Sequence, residues 1–257
     1  MAAITNTTWF YFIYPLLLIG SIWLGAFIAK RRYHKKNIVW KPAGLETSVV
    51  AIFGLILSFT LNSSNTEYRN RTANLNAESD VVAQMRRESL FMDNAIRKQV
   101  RHYLIDFTAV HAEINDNHWT HQQMLDTIAS INGQFVDYLL QLHKDSTVNQ
   151  ANVTTLLRYH NSLCTHFYKN AFSYTERTPS TIMFLLIVGS LLIGLLVGFM
   201  NTFTQGYKSY ILPILYTFLT SLAILAICDM DNPKTGIIKP DTRNIQYMHQ
   251  RLLTSER

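Results

Sequence analysis

Histidine is the first residue type able to do chemistry, with nine copies in 257 residues. His118 and His121 flank Trp119 at i and i+3, and His102 and His111 sit on a neighbouring predicted helix. Catalytic zinc needs three or more converging His or carboxylate ligands, and no HExxH or comparable spacing occurs. These histidines read as solvated or loop residues. No GxSxG, P-loop or GxGxxG is present, and no Cys/His pair is spaced for nucleophilic work. Cys164 and Cys228 are too few for a disulfide framework and form no CxxC, so they read as buried, unpaired thiols. The expectation is a protein that is not an enzyme and needs no cofactor.

Oxygen ligands are better placed. Residues 228–236 run Cys-Asp-Met-Asp-Asn-Pro-Lys-Thr-Gly after a long apolar segment. Asp229 and Asp231 beside Asn232 offer the hard oxygen donors that Ca²⁺ favours, without the length or terminal Glu of an EF-hand loop. Read structurally, the same acids end a helix and pair with Lys or Arg, while Asn232-Pro233 stops it. An Asp costs about 2.5–3.5 kcal/mol at the centre of a membrane helix and less near its end, so two acids at a boundary need a reason.

A second pattern lies in residues 44–61. Ala51, Leu55 and Phe59 are spaced by four and stack on one helical face. Ser58, Asn62 and Asn65 form a polar edge beside them. Such a face is either a packing surface or a pore wall whose apolar ring gates water and ions by dewetting. A third pattern is the GxxxG of Gly194 and Gly198, which lets two helices approach closely in lipid.

The elements that position these residues follow from hydrophobicity. The chain is 48% hydrophobic, yet its mean hydropathy is only +0.06. Two unlike populations are being averaged. Residues 10–29, 44–61, 181–200 and 209–228 are almost purely apolar, with Glu46 the only charge among them. A bilayer core about 30 Å thick needs about 20 apolar residues, and lipid forces them to be helical. The first segment has no Lys or Arg before it, unlike a signal peptide, and is expected to be retained.

Between the second and third segments lies a polar stretch with no proline from Pro42 to Pro179. Its apolar residues recur at helical spacing, as in Val100, Tyr103, Leu104, Phe107, Val110 and Ile114. The second membrane helix is expected to run on to about residue 91. Further helices are predicted over 93–115, 122–143 and 147–175, forming an antiparallel bundle. The expected organisation is therefore 1–62 for the first two membrane helices, 63–178 for a soluble helical domain, 179–230 for the last two membrane helices, and 231–257 for a tail. The net charge of +6 is local, because six Lys or Arg fall within residues 30–41. That marks a membrane-flanking loop on the cytoplasmic side, and it excludes a nucleic-acid face. The N-terminus and the helical domain are then extracytoplasmic.

The chain resembles a widespread bacterial family of membrane proteins known as bestrophin-like. The resemblance rests on residues 53–60 (Phe-Gly-Leu-Ile-Leu-Ser-Phe-Thr), on Tyr68, Arg69 and Glu78, on Pro179, and on the stretch from Asp229 to Gly236. It implies an all-α integral membrane protein with four transmembrane helices and a helical-bundle insert between helices two and three. It also implies similarity to pentameric anion channels whose second helix lines an apolar neck. By position, Ala51, Leu55, Phe59 and Asn62 would line that neck, and Asp229 and Asp231 would stand where those channels bind calcium, without their long acidic run. Those channels keep the insert in the cytoplasm, opposite to the side implied by the basic loop. The expected protein is a homo-oligomer in the bacterial inner membrane, with lipid and inorganic ions as partners. The alternative is a non-conducting sensor or scaffold that binds a partner through its helical domain.

Overall fold

A computed structural model describes residues 9–33, 44–114, 120–202, 210–233 and 236–254. His118, Trp119, most of the basic loop and most of the loop between the last two membrane segments lie outside the described residues. Eight α-helices and no strand occur among the residues described: α1 Phe10–Tyr33, α2 Leu45–Ser89, α3 Asn94–Ile114, α4 His121–Lys144, α5 Gln150–Ser173, α6 Ser180–Asn201, α7 Ile211–Met230 and α8 Arg243–Thr254. Helices α1, α2, α6 and α7 are long and apolar enough to cross a membrane. The protein is thus an all-α membrane protein with four such helices.

Local chemistry sets the helix ends. Gly44 takes a φ of +82° before α2, a conformation that other residues adopt at a cost. Thr120 and Gln123 form a reciprocal capping box on α4, and the Asn149 side chain accepts from the Ala151 N–H at the start of α5. Pro179 precedes α6, where a missing N–H does no harm. Residues 231–257 carry no predicted helix, yet α8 forms there.

The chain divides into two compact units, Met1–Thr66 with Arg177–Ile238 and Glu67–Glu176 with Lys239–Arg257. In the first unit, α1 and α6 pack backbone against backbone. A Cβ on Gly25 would collide with the Leu195 carbonyl, one on Gly198 with the Ile22 carbonyl, and one on Gly194 with the Ser21 hydroxyl. Tyr14 donates to Ser190 Oγ at 2.9 Å, and Tyr216 donates to the Ser190 carbonyl. Both phenols are thereby satisfied without water. Leu18, Leu186, Ile224 and Ile227 fill the core around them.

The second unit is a helical bundle around Val82, Leu104, Phe107, Ile128, Leu156 and Leu163. Helix α8 buries Ile245 and Leu252 in the same core. Its ties to α2 and α3 include the Asn244–Asn76 hydrogen bond at 2.8 Å and the Thr108–His249 contact at 2.8 Å. Two histidines expected at the surface are core residues instead. His111 faces Glu78, and His160 sits between Tyr103 and Cys164. Tyr103 Oη lies 3.0 Å from both Asn132 Oδ1 and His160 Nδ1, and its ring stacks on Phe135 at 4.0 Å. Burial pushes the Cys164 thiol up to about 11, so it is no nucleophile.

Two outcomes follow. Gly198→Val forces α1 and α6 apart and lowers the melting temperature in detergent, with a cost of about 1–3 kcal/mol or more; an unchanged melting temperature contradicts the close packing. Burial also holds His160 below its ordinary value of 6.5. The unfolded chain therefore takes up this proton first as pH falls, and stability present above about pH 6.5 is lost below it. His160→Gln shrinks the melting-temperature loss between about pH 7.5 and about pH 5.5. An equal loss in parent and variant contradicts this.

Candidate functional site

Within the first unit, α2 has two unlike faces. Phe53, Ile56, Thr60 and Ser64 recur at three- and four-residue spacing and turn toward the unit's interior. The Thr60 hydroxyl returns to the Ile56 carbonyl at 2.9 Å, and Ser64 meets Thr178 at 3.3 Å. Phe53 fills the space beside Gly189, where a Cβ would stand 3.0 Å from its ring. Ala51, Leu55, Phe59 and Asn62 occupy the other face and are exposed among the described residues. Leu55 is 57% exposed and Phe59 67%. Ser58 and Asn65, the polar edge, are exposed as well. Among the described residues, nothing packs on this face.

The end of α7 is the most densely bonded part of this unit. Asp229 is 4% exposed. Its Oδ1 accepts from the Tyr11 hydroxyl and the Ile237 N–H, both at 2.8 Å, and its Oδ2 accepts from the Ile238 N–H at 2.6 Å. Asp231 Oδ2 accepts from the Thr178 N–H at 3.1 Å, just before α6, where a helix N-terminus favours negative charge. Asn232 Nδ2 donates to the Cys228 carbonyl at 2.8 Å. A Cβ on Gly236 would stand 2.6 Å from the Asp229 carbonyl oxygen, so only glycine fits the turn. One turn thus ties together the start of α1, the start of α6 and the end of α7. Asp229 meets a phenol and two backbone amides here, where the residue pattern suggested Lys or Arg. No group of three or more His, Cys, Asp or Glu that could hold a metal occurs among the described residues.

The second unit holds buried charge that residue spacing alone did not single out. Glu78 is fully buried, and its Oε2 lies 2.7 Å from His111 Nε2. The rings of Phe107 and Phe167 stand 5.8 and 5.7 Å from the His111 ring. Arg71, at 1% exposure, donates from Nε and Nη2 to the Ser173 carbonyl at 3.1 and 2.9 Å, and from Nη2 to the Glu176 carbonyl at 3.1 Å. Burial and then the Glu78 charge push the Tyr174 phenol up to about 12, against the pull of Arg71. Ser64, Arg71, Leu75, Glu78, Val82 and Met85 form one buried stripe of α2. Arg71 and Glu78 on a stripe of mostly apolar residues were the available sign that charge is buried here.

A family model described as a bestrophin-like domain matches residues 13–240. No curated protein matches the sequence significantly. Several solved structures share the fold at low identity. A single-residue variant of a bacterial bestrophin homologue from Klebsiella pneumoniae aligns with a TM-score of 0.70 and 13% identity, covering 92% of this chain and 95% of that one. Another structure of a bestrophin homologue from the same organism gives 0.67 and 15%, covering 93% and 96%.

Asp229→Asn removes the charge that three donors share and lowers the melting temperature, at a cost of about 1–3 kcal/mol. A Ca²⁺-dependent rise in the parent, abolished by Asp229→Asn with Asp231→Asn, would assign a cation site to this turn instead.

Proposed function

The chain belongs to the bestrophin-like family, and from that premise we propose that it assembles as a homo-oligomer around a central path and conducts ions across a bacterial inner membrane. Helix α2 lines the path, with Ala51, Leu55, Phe59 and Asn62 turned toward it. The observation that carries this reading is the bare apolar face of α2, set against the packed face of Phe53, Ile56, Thr60 and Ser64. A helix covered on one side by its own chain and bare on the other needs something beyond that chain. Copies arranged about an axis supply it, because every copy presents the same face.

Apolar side chains at a constriction gate by dewetting, and Phe59 is the largest of the set. Asn62 follows on the same face and offers a polar amide to an ion that has shed water. The likeness to bacterial bestrophin homologues supports the reading at the level of the fold. The basic loop at residues 30–41 supports a cytoplasmic position for that loop, with the N-terminus and the helical insert on the other side.

Purified protein in liposomes passes ions above the empty-vesicle rate, and Phe59→Ala raises that flux several-fold by widening and wetting the constriction. Background-level flux from verified oligomers, unmoved by Phe59→Ala, overturns the proposal.

A further inference from the structure

Helices α1, α6 and α7 of the first unit line a groove of about 710 Å³. Ile19, Trp23 and Ala26 of α1 and Ile214, Phe218 and Leu222 of α7 form its apolar walls. Its lining positions on α7 run from Tyr210 to Leu225, about 22 Å at 1.5 Å per residue. That is more than one leaflet's share, about 15 Å, of a hydrocarbon core about 30 Å thick. Trp23, Ile214 and Phe218 are exposed among the described residues, so the groove is open along its side. None of the described residues that line it belongs to α2, so the groove is separate from the proposed pore face.

The two ends of the groove differ in charge. Tyr11 at the start of α1 donates to Asp229 at the end of α7, so the two helices run antiparallel. The end of α1 therefore lies level with the start of α7. There Ala26 is followed one turn on by Lys30 and then Arg31, both exposed. The first turn of α7 holds no acid, and Tyr210 makes no side-chain cap. The amides of a helix N-terminus attract phosphate. Asn201 and Tyr210 line the groove at this end and add an amide and a phenol. The connecting segments on this side are basic. Residues 30–45 hold six Lys or Arg, and residues 201–210 hold Lys208, with no Asp or Glu in either. The far end leads instead toward the Asp229 turn. An apolar groove that is cationic at its mouth complements a molecule with a hydrocarbon tail and an anionic head. Tail burial alone selects nothing, because hydrocarbon already surrounds these helices. The charge selects the occupant.

We propose that this groove binds an anionic phospholipid from the leaflet on the side of the basic loop. One acyl chain lies along α1 and α7, against Trp23 and Phe218. The phosphate sits at the start of α7. Lys30 and Arg31 meet its charge, and Asn201 and Tyr210 donate to its oxygens.

The test uses the full chain in detergent micelles at constant ionic strength, with phosphatidylglycerol or phosphatidylcholine of the same acyl chains added. Phosphatidylglycerol raises the melting temperature by a few degrees, and phosphatidylcholine does not. Lys30→Gln with Arg31→Gln removes most of that rise. Ile214→Trp fills the open side of the groove without touching a charge, and it removes the rise as well. Brominated acyl chains give a second readout should a variant fold poorly. Brominated phosphatidylglycerol quenches the parent's tryptophan fluorescence more than brominated phosphatidylcholine, and the excess disappears in Trp23→Phe. A rise equal for both lipids, a rise that survives Ile214→Trp, or equal quenching by both lipids overturns the site. So does a loss of oligomer mass in Ile214→Trp with no lipid response in the parent, which assigns the groove to a second copy.

Discussion

Hydrocarbon offers no hydrogen bonds, and that single lack governs the membrane half of this protein. A polar group placed there is best met by a partner within the chain, because an unmet one costs several kcal/mol; Ser221 Oγ is buried without one among the described residues. The partners are specific. Thr60 and Thr217 return to carbonyls one turn back. Tyr14 and Tyr216 both use Ser190. Asp229 takes a phenol and two amides, which settles a carboxylate at a helix end and closes the following turn. Small residues do the remaining work: Gly25, Gly194 and Gly198 let α1 and α6 touch by their backbones, where dispersion replaces the missing hydrophobic drive.

The helical unit beyond the membrane segments solves a different problem. It has an ordinary apolar core, and its helix ends need closing. Arginine does this twice. Arg71 covers the carbonyls at the end of α5, and Arg101 those at the end of α8. A cation at a helix C-terminus meets both the orphan carbonyls and the negative end of the dipole. Glu78 and His111 are a buried acid–imidazole pair, 2.7 Å apart, with Glu78 Oε1 left without a hydrogen-bond partner among the described residues. Such a pair adds less net stability than its close contact suggests, but removing one partner alone leaves a buried charge exposed to the full desolvation cost.

Much of the fold was legible because lipid imposes a plain pattern. Four apolar runs with a single charge among them, Glu46, could only be helices. The absence of proline between Pro42 and Pro179 left the insert no simple way to be anything else. The predicted bounds 122–143 and 147–175 fall within a few residues of the observed His121–Lys144 and Gln150–Ser173. The buried histidines were not legible, because His111 and His160 gain their setting from Glu78 and Tyr103, on other helices or far along the chain. Helix α8 was missed because a short amphipathic stretch after Asn232-Pro233 resembles a loop until its partner face is known. For the candidate site, spacing placed Ala51, Leu55 and Phe59 on one face, and the exposure of that face is what only three dimensions supply. Asp229 and Asp231 drew attention as oxygen donors, whereas the donors they meet come from Tyr11, Thr178, Ile237 and Ile238, which no local motif links.

The central claim is that the bare face of α2 meets the same face of other copies. Oxidative cross-linking in native membranes tests it most directly, in a variant lacking Cys164 and Cys228. A cysteine in place of Phe59 should give covalently linked copies, while one in place of the inward-facing Thr60 should stay monomeric. Cross-links at Thr60 with none at Phe59, or none at either position in intact membranes, would contradict the account.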